Sequence, residues 1–119
     1  VALDNNTLTG TLPTEIGQMT NLGYLSVDTN SFTGTLPTEL ARITGLQAAI
    51  FSRNGFTGTL PTQLAQLSNL LYLDVSMNVL TGTLPTELSL LGNLTQFAFS
   101  HNKFTGSVNN ILCTDDRQW

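Results

Sequence analysis

The chain has 119 residues, of which 40% are hydrophobic, enough to bury a useful core and to exclude global disorder. Charged residues are 10% of the chain, against about 25% in an average soluble protein, and the net charge is −4 with only four Lys and Arg. That balance offers no footprint for a phosphate backbone or an anionic membrane, so neither nucleic acid nor a lipid surface is an expected partner of this segment.

The opening Val1-Ala2-Leu3-Asp4 lacks a basic segment followed by an apolar one, and no apolar run approaches the roughly 18 residues a bilayer crossing needs. Any signal peptide or anchor is therefore expected outside these residues. From there on the chain repeats. Thr-Gly-Thr-Leu-Pro-Thr begins at Thr9, Thr33, Thr57 and Thr81, a step of 24 residues, with an altered copy Thr105-Gly106-Ser107-Val108-Asn109. Asn6, Asn30, Asn54, Asn78 and Asn102 keep the same step. Such self-similarity decides the fold before any single element does.

Within one coil the first element is Leu25-Ser26-Val27, whose alternation predicts a short strand with Ser26 on the outer face. Stacking the coils turns the equivalent strands at Leu25, Ala49, Leu73 and Phe97 into a parallel sheet. The asparagine that follows is expected to turn inward, where its amide can satisfy backbone groups left unpaired as the strand ends. Further columns, Leu8/Phe32/Phe56/Leu80/Phe104, Ile16/Leu40/Leu64/Leu88 and Met19/Ile43/Leu67/Leu91, fill the core. Pro13, Pro37, Pro61 and Pro85 fit the first position of a short helical turn, where no amide donor is needed, and Glu15, Glu39 and Glu87 then favour its positive end.

The unit reads L-x-x-L-x-L-x-x-N-x-L-T-G-x-L-P-x-x-L-x-x-L. It resembles the plant-type leucine-rich repeat of receptor-kinase and receptor-like ectodomains and of secreted inhibitors of pectin-degrading enzymes. The resemblance covers residues 1–112 and rests on about five in-phase copies rather than on one short motif. It implies an α/β repeat solenoid: a right-handed coil with a parallel concave β-sheet, short second strands at Leu-Thr-Gly-x-Leu-Pro, and 3-10 or short helical turns on the convex side. In those second strands Gly10, Gly34, Gly58 and Gly82 would permit close backbone approach.

The polar N-terminal cap that solenoids need is absent from these residues. At the other end Asn109 replaces the proline and Asp115 falls where an apolar residue is due, so residues 113–119 read as the start of a C-terminal cap or a continuation. Cys113 is the sole cysteine, hence a buried thiol or half of a bridge whose partner lies elsewhere. The resemblance implies a cysteine-stapled cap, with Trp119 available to cover the last core edge.

The register writes out the concave face, where the resemblance places ligand recognition. Tyr24, Tyr72 and Gln96 share one column; Ser26, Ile50 and Asp74 the next; Asp28 and Ser52 a third; Arg53, Met77 and His101 a fourth. Tyr24, Ile50, Arg53, Tyr72 and Met77 are of types enriched at interface centres. Flanked by Asp28 and Asp74, the patch suits a protein, peptide or carbohydrate ligand outside the cell or at its surface.

Catalysis is not expected, because Asp74 lies one strand over and three positions along from the sole His101. At a rise of about 3.3 Å per residue that is roughly 10 Å, too far for a triad with Ser100. The His and Cys needed for a metal site are lacking, no phosphate-binding loop or dinucleotide fingerprint is present, and no cofactor is implied.

An alternative uses the other threonines. If Gly10 faces inward, Thr9 and Thr11 both face outward, and so do Thr33 with Thr35, Thr57 with Thr59, and Thr81 with Thr83. A flat array spaced about 6.7 Å along and 4.8 Å across resembles the ice-binding faces of some antifreeze proteins. The sequons at Asn5 and Asn93 are candidate glycan acceptors, with Asn93, at a turn, the better placed.

Overall fold

The computed structural model describes residues 1–107. The readings at Val108, Asn109, Cys113, Asp115 and Trp119 lie outside those residues.

Four coils each contribute a three-residue strand to one parallel sheet: β2 (Tyr24–Ser26), β4 (Ala48–Ile50), β6 (Tyr72–Asp74) and β7 (Gln96–Ala98). The register steps by the full repeat, Tyr24 opposite Ala48 opposite Tyr72 opposite Gln96, and Ala2 bridges to Ser26 ahead of β2. Leu25, Ala49, Leu73 and Phe97 point from these strands into the interior and are buried. Short 3-10 turns, Thr14–Gln18, Thr38–Arg42, Thr62–Gln66 and Thr86–Leu90, line the opposite side. Each proline stands just before its turn rather than inside it, in extended backbone, with its carbonyl accepting the first N–H, as Pro37 does from Leu40 at 3.2 Å. Proline has no N–H to lose at either position, so the sequence signal is the same. Among the described residues no helix is long and apolar enough to cross a membrane.

The asparagine column turns inward as expected. Asn54 donates from Nδ2 to the carbonyls of Val27 (3.0 Å), Phe51 (3.3 Å) and Ser52 (3.0 Å), while its Oδ1 accepts Phe32 N–H at 3.0 Å. One side chain thus closes its own turn and ties it to the preceding coil, and Asn30, Asn78 and Asn102 do the same. The residue just before each asparagine makes this inward turn possible. Asn5, Thr29, Arg53, Met77 and His101 all sit in the left-handed region, φ between 54° and 57°. Outside glycine that conformation is uncommon and is tolerated best by Asn, so the other four are held there by the coil around them.

The second sheet departs from the expected pattern. Its strands, β1 (Thr9–Thr11), β3 (Ser31–Thr35) and β5 (Gly55–Thr57), pair so that Thr11 lies opposite Thr33 and Thr35 opposite Thr57. Bridges continue this with Thr59 opposite Thr81 and Thr83 opposite Thr105. The threonines therefore form oblique pairs, the second of one coil against the first of the next, not a rectangular array. The cause is the glycine between them. Gly34, Gly58 and Gly82 have φ of 75–76°, which breaks the simple in-and-out alternation of a strand.

Nor does that glycine face inward. A Cβ built on Gly58 would stand 2.8 Å from the Cγ2 of Thr35, an exposed side chain. At Gly10 the same atom meets nothing within 4 Å, although φ is +83°. Gly10→Ala is expected to lose only the backbone term of about 1 kcal/mol. Gly58→Ala should lose more, because the Thr35 methyl must also shift. Equal losses in chemical denaturation would show that the methyl contact carries no weight.

Phe51 and Phe56 are fully buried at the centre of the core, ring centroids 6.1 Å apart and edge to face, and Phe56 stacks on Phe32 at 6.1 Å. The first coil is the exception to the core columns, since Leu8 and Met19 are exposed; within the described residues it is packed from one side only.

Candidate functional site: the concave sheet

Outward residues of β2, β4, β6 and β7 face one open surface, and the structure divides them into exposed side chains and buried ones. Tyr24 is 43% exposed and Met77 50%, with Ile50 and Tyr72 half-buried between them and Arg53, Gln96 and His101 exposed. Ser26, Asp28 and Ser52, expected at this surface, are instead 1%, 9% and 4% exposed. Small side chains between larger neighbours are sealed beneath them, and their polar atoms are used within the sheet. Ser26 Oγ donates to Asp4, and Ser52 Oγ donates to Asp28 Oδ1 at 2.7 Å. These three are supports rather than contact residues.

Their role is visible at Arg53. Its Nε and Nη2 reach both oxygens of Asp28, at 3.0 and 2.7 Å, a two-pronged pair that fixes the guanidinium plane while leaving the rest of the side chain exposed. Thr29 Oγ1 adds a bond to Asp28 Oδ2 at 3.0 Å. The hydrogen bond from Arg53 holds the Asp28 carboxyl below its ordinary value of 3.8, with the Ser52 and Thr29 bonds in support, against the opposing effect of burial.

Because the folded carboxyl is the more acidic, its stabilisation is fully present above the unfolded value near 3.8 and is lost as pH falls through the lower folded value. Arg53→Ala should therefore lower stability at neutral pH, with the difference from the unmodified protein shrinking as pH falls through the lower folded value. Coincident melting temperatures of the two proteins from neutral pH down to the acid limb would show the pair to be without consequence.

Asp74 is used differently. Its Oδ2 accepts Tyr72 OH at 3.1 Å, and its Oδ1 accepts Ser76 N–H at 2.9 Å and Ser76 Oγ at 2.6 Å. Burial, with the Asp74 charge behind it, pushes the Tyr72 phenol above its usual range, so the ring stays neutral and its orientation fixed. His101 Nδ1 lies 3.2 Å from Ser100 Oγ, but the acid such a pair would need is already engaged on its own strand. The chemistry on offer is contact: two aromatic rings, two aliphatic side chains and one oriented cation.

The glycan candidates separate as well. Asn93 Nδ2 donates to the Ser68 carbonyl at 2.8 Å and Thr95 Oγ1 to that of Leu71 at 3.1 Å, so both polar ends of that sequon are tied to the neighbouring coil. Asn5 is exposed at the rim of the concave face.

On the second sheet Thr9, Thr11, Thr33, Thr35, Thr57, Thr59, Thr81 and Thr83 are all exposed. The threonine after each proline, Thr14, Thr38, Thr62 and Thr86, is exposed too, a further column that the Thr-x-Thr reading passed over. Its signal was the last residue of the repeated string.

The family model described as Leucine Rich Repeat matches residues 69–91. Among solved structures, a chain of the BIR3–SERK2 complex from Arabidopsis thaliana is 26% identical over 97% of this chain and 62% of its own, with a TM-score of 0.91. The plant peptide hormone receptor RGFR1, solved in complex with RGF2, is 35% identical over 87% of this chain and 16% of its own, TM-score 0.85. A plant ice-binding protein is 30% identical over 89% of this chain and 35% of its own, TM-score 0.81. This chain spans less than two thirds of each of the three. No curated protein matches it in sequence. By its 24-residue step, its inward asparagines and turn prolines, and these matches, the chain is a leucine-rich-repeat protein of the plant type.

Proposed function

We propose that the concave sheet recognises a protein or peptide ligand, outside the cell or at its surface, as a binding rather than a catalytic domain. The observation that carries this is the Tyr24, Ile50, Tyr72 and Met77 patch beside an Arg53 held in place by Asp28. Rigid aromatic side chains and an oriented arginine are what interface centres use. The similarity to a plant peptide hormone receptor solved in complex with RGF2 and to a chain of the BIR3–SERK2 complex supports the same reading. A carbohydrate would meet the same aromatic faces, but the oriented guanidinium favours a peptide with a carboxylate or carbonyl to receive it.

A library of displayed peptides, selected on the full-length protein, tests this. Tyr72→Ala and Arg53→Glu should each weaken selected binders by about thirty-fold or more, the effect of losing roughly 2 kcal/mol at an interface centre. Thr35→Lys with Thr59→Lys should leave them unchanged. Binders indifferent to both concave variants but lost on changes in the convex turns would refute this placement.

The exposed threonines and the similarity to a plant ice-binding protein favour a second reading, ice contact on the second sheet. It expects thermal hysteresis and ice shaping from the unmodified protein, lost when Thr35 and Thr59 become bulky charged residues. The concave-recognition reading expects neither activity in either protein.

A further inference from the structure

The threonines of each Thr-Gly-Thr-Leu-Pro-Thr string are not equivalent. The first is drawn toward the backbone: the hydroxyls of Thr33, Thr81 and Thr105 donate to the carbonyls of Gly10, Gly58 and Gly82, each at 3.4 Å. These bonds are long, but the acceptor is fixed and biases the proton toward the protein.

The second threonine is held by its methyl. A Cβ on Gly34, Gly58, Gly82 or Gly106 would stand 2.8, 2.8, 3.0 and 3.1 Å from the Cγ2 of Thr11, Thr35, Thr59 and Thr83, so each methyl rests on the bare glycine of the following coil. A β-branched side chain packed through one branch has its rotamer fixed, and its hydroxyl direction with it. Those four hydroxyls have no protein partner among the described residues. The third threonine lies across the proline; Thr38, Thr62 and Thr86 reach only the tips of the adjacent Glu39, Gln63 and Glu87, at 3.5, 3.4 and 3.4 Å, the long limit of a hydrogen bond.

The second and third threonines share a recess that the first does not enter. Between two coils, Thr35 and Thr38 form one wall, Thr59 and Thr62 the other, and the buried Leu36, Leu60 and Pro61 the floor. The next recess along the solenoid repeats this, with Thr59 and Thr62 facing Thr83 and Thr86 over Leu84 and Pro85. Their volumes match, about 330 and 340 Å³. Thr59 and Thr62 are the wall between them. Gln63 in the first recess and Glu87 in the second complete the lining, so water there meets those side-chain tips and the wall hydroxyls, of which only the hydroxyls recur unchanged at each coil, about 4.8 Å apart.

We propose that these recesses, lined by Thr35, Thr59 and Thr83 with Thr38, Thr62 and Thr86, are the surface that seats ordered water of an ice lattice, rather than the Thr-x-Thr pairs. This rests on the ice-contact reading and assigns it to specific side chains. Preset hydroxyls lose little freedom when the lattice forms, which favours binding by a rigid array.

Two triple variants of the full-length protein decide it, with unchanged melting temperature as the check on folding. Thr38→Ala, Thr62→Ala and Thr86→Ala together should abolish thermal hysteresis and ice shaping. Thr33→Ala, Thr57→Ala and Thr81→Ala together should keep most of both. The reverse result, or equal losses in the two variants, would overturn the assignment to the recesses while leaving ice contact standing. Absence of both activities from the unmodified protein would remove the ice-contact reading, and this assignment with it.

Discussion

Asn54→Ala is expected to destabilise the protein by about 3–5 kcal/mol, lowering the melting temperature by more than about 10 °C at this chain length. The substitution leaves the Phe32 N–H without its acceptor and takes one of two donors from each of the carbonyls of Val27, Phe51 and Ser52, which keep Asn30 Nδ2, Asn78 Nδ2 and Thr29 N–H. The Phe32 N–H lies between two coils, where water cannot replace the amide without parting the stack; an unsatisfied buried group costs about 1–3 kcal/mol, and each of the three lost carbonyl bonds adds about 0.5–1.5 kcal/mol. Asn6→Ala is the control. Asn6 bonds only to Leu3 and Asp4 in its own exposed turn, so water substitutes and the loss should be small. Similar losses at Asn6 and Asn54 in denaturant titrations would mean that the inter-coil bonds do not hold the stack.

Phe56→Ala should cost a similar amount, about 3–5 kcal/mol, because it opens a cavity where Phe32 and Phe51 both lose a ring contact. Phe56→Leu should cost less than about 1.5 kcal/mol. The equivalent position in the following coil is Leu80, fully buried, so the coil accepts either shape there. If Leu were as damaging as Ala, the ring contacts rather than the filled volume would be setting the core.

The solenoid was legible because its signals are periodic and redundant. Leu25, Ala49, Leu73 and Phe97 fall at one offset, and Asn30, Asn54, Asn78 and Asn102 at another, and both columns turn inward as expected. Three features were not legible. Gly34, Gly58 and Gly82 read as ordinary strand glycines, but their positive φ shifts the second sheet into oblique threonine pairs, and φ leaves no trace in a repeat where glycine never varies. Ser26 and Ser52 read as outward by alternation, and outward they are, yet burial depends on the size of the neighbours across the sheet and not on parity along it. The left-handed column was hidden because Thr29, Arg53 and Met77 have no preference for that conformation; only Asn5 and His101 were hints.

For the site, the residue types of the concave patch were readable, and its division into contacts and supports was not. Asp28 looked like a flanking charge for a ligand. Its oxygens instead go to Ser52, Arg53 and Thr29, so the charge that remains outward on this part of the sheet is the arginine's.

The most direct measurement is an NMR titration of the isotope-labelled full-length protein with a peptide selected on it. Concave recognition predicts that the Ile50 and Met77 methyl signals and the Tyr24 and Tyr72 ring signals shift with increasing peptide, while those of the turns Thr38–Arg42 and Thr62–Gln66 stay in place. Shifts confined to those turns, or to the Thr33, Thr35, Thr57 and Thr59 methyls, would contradict it.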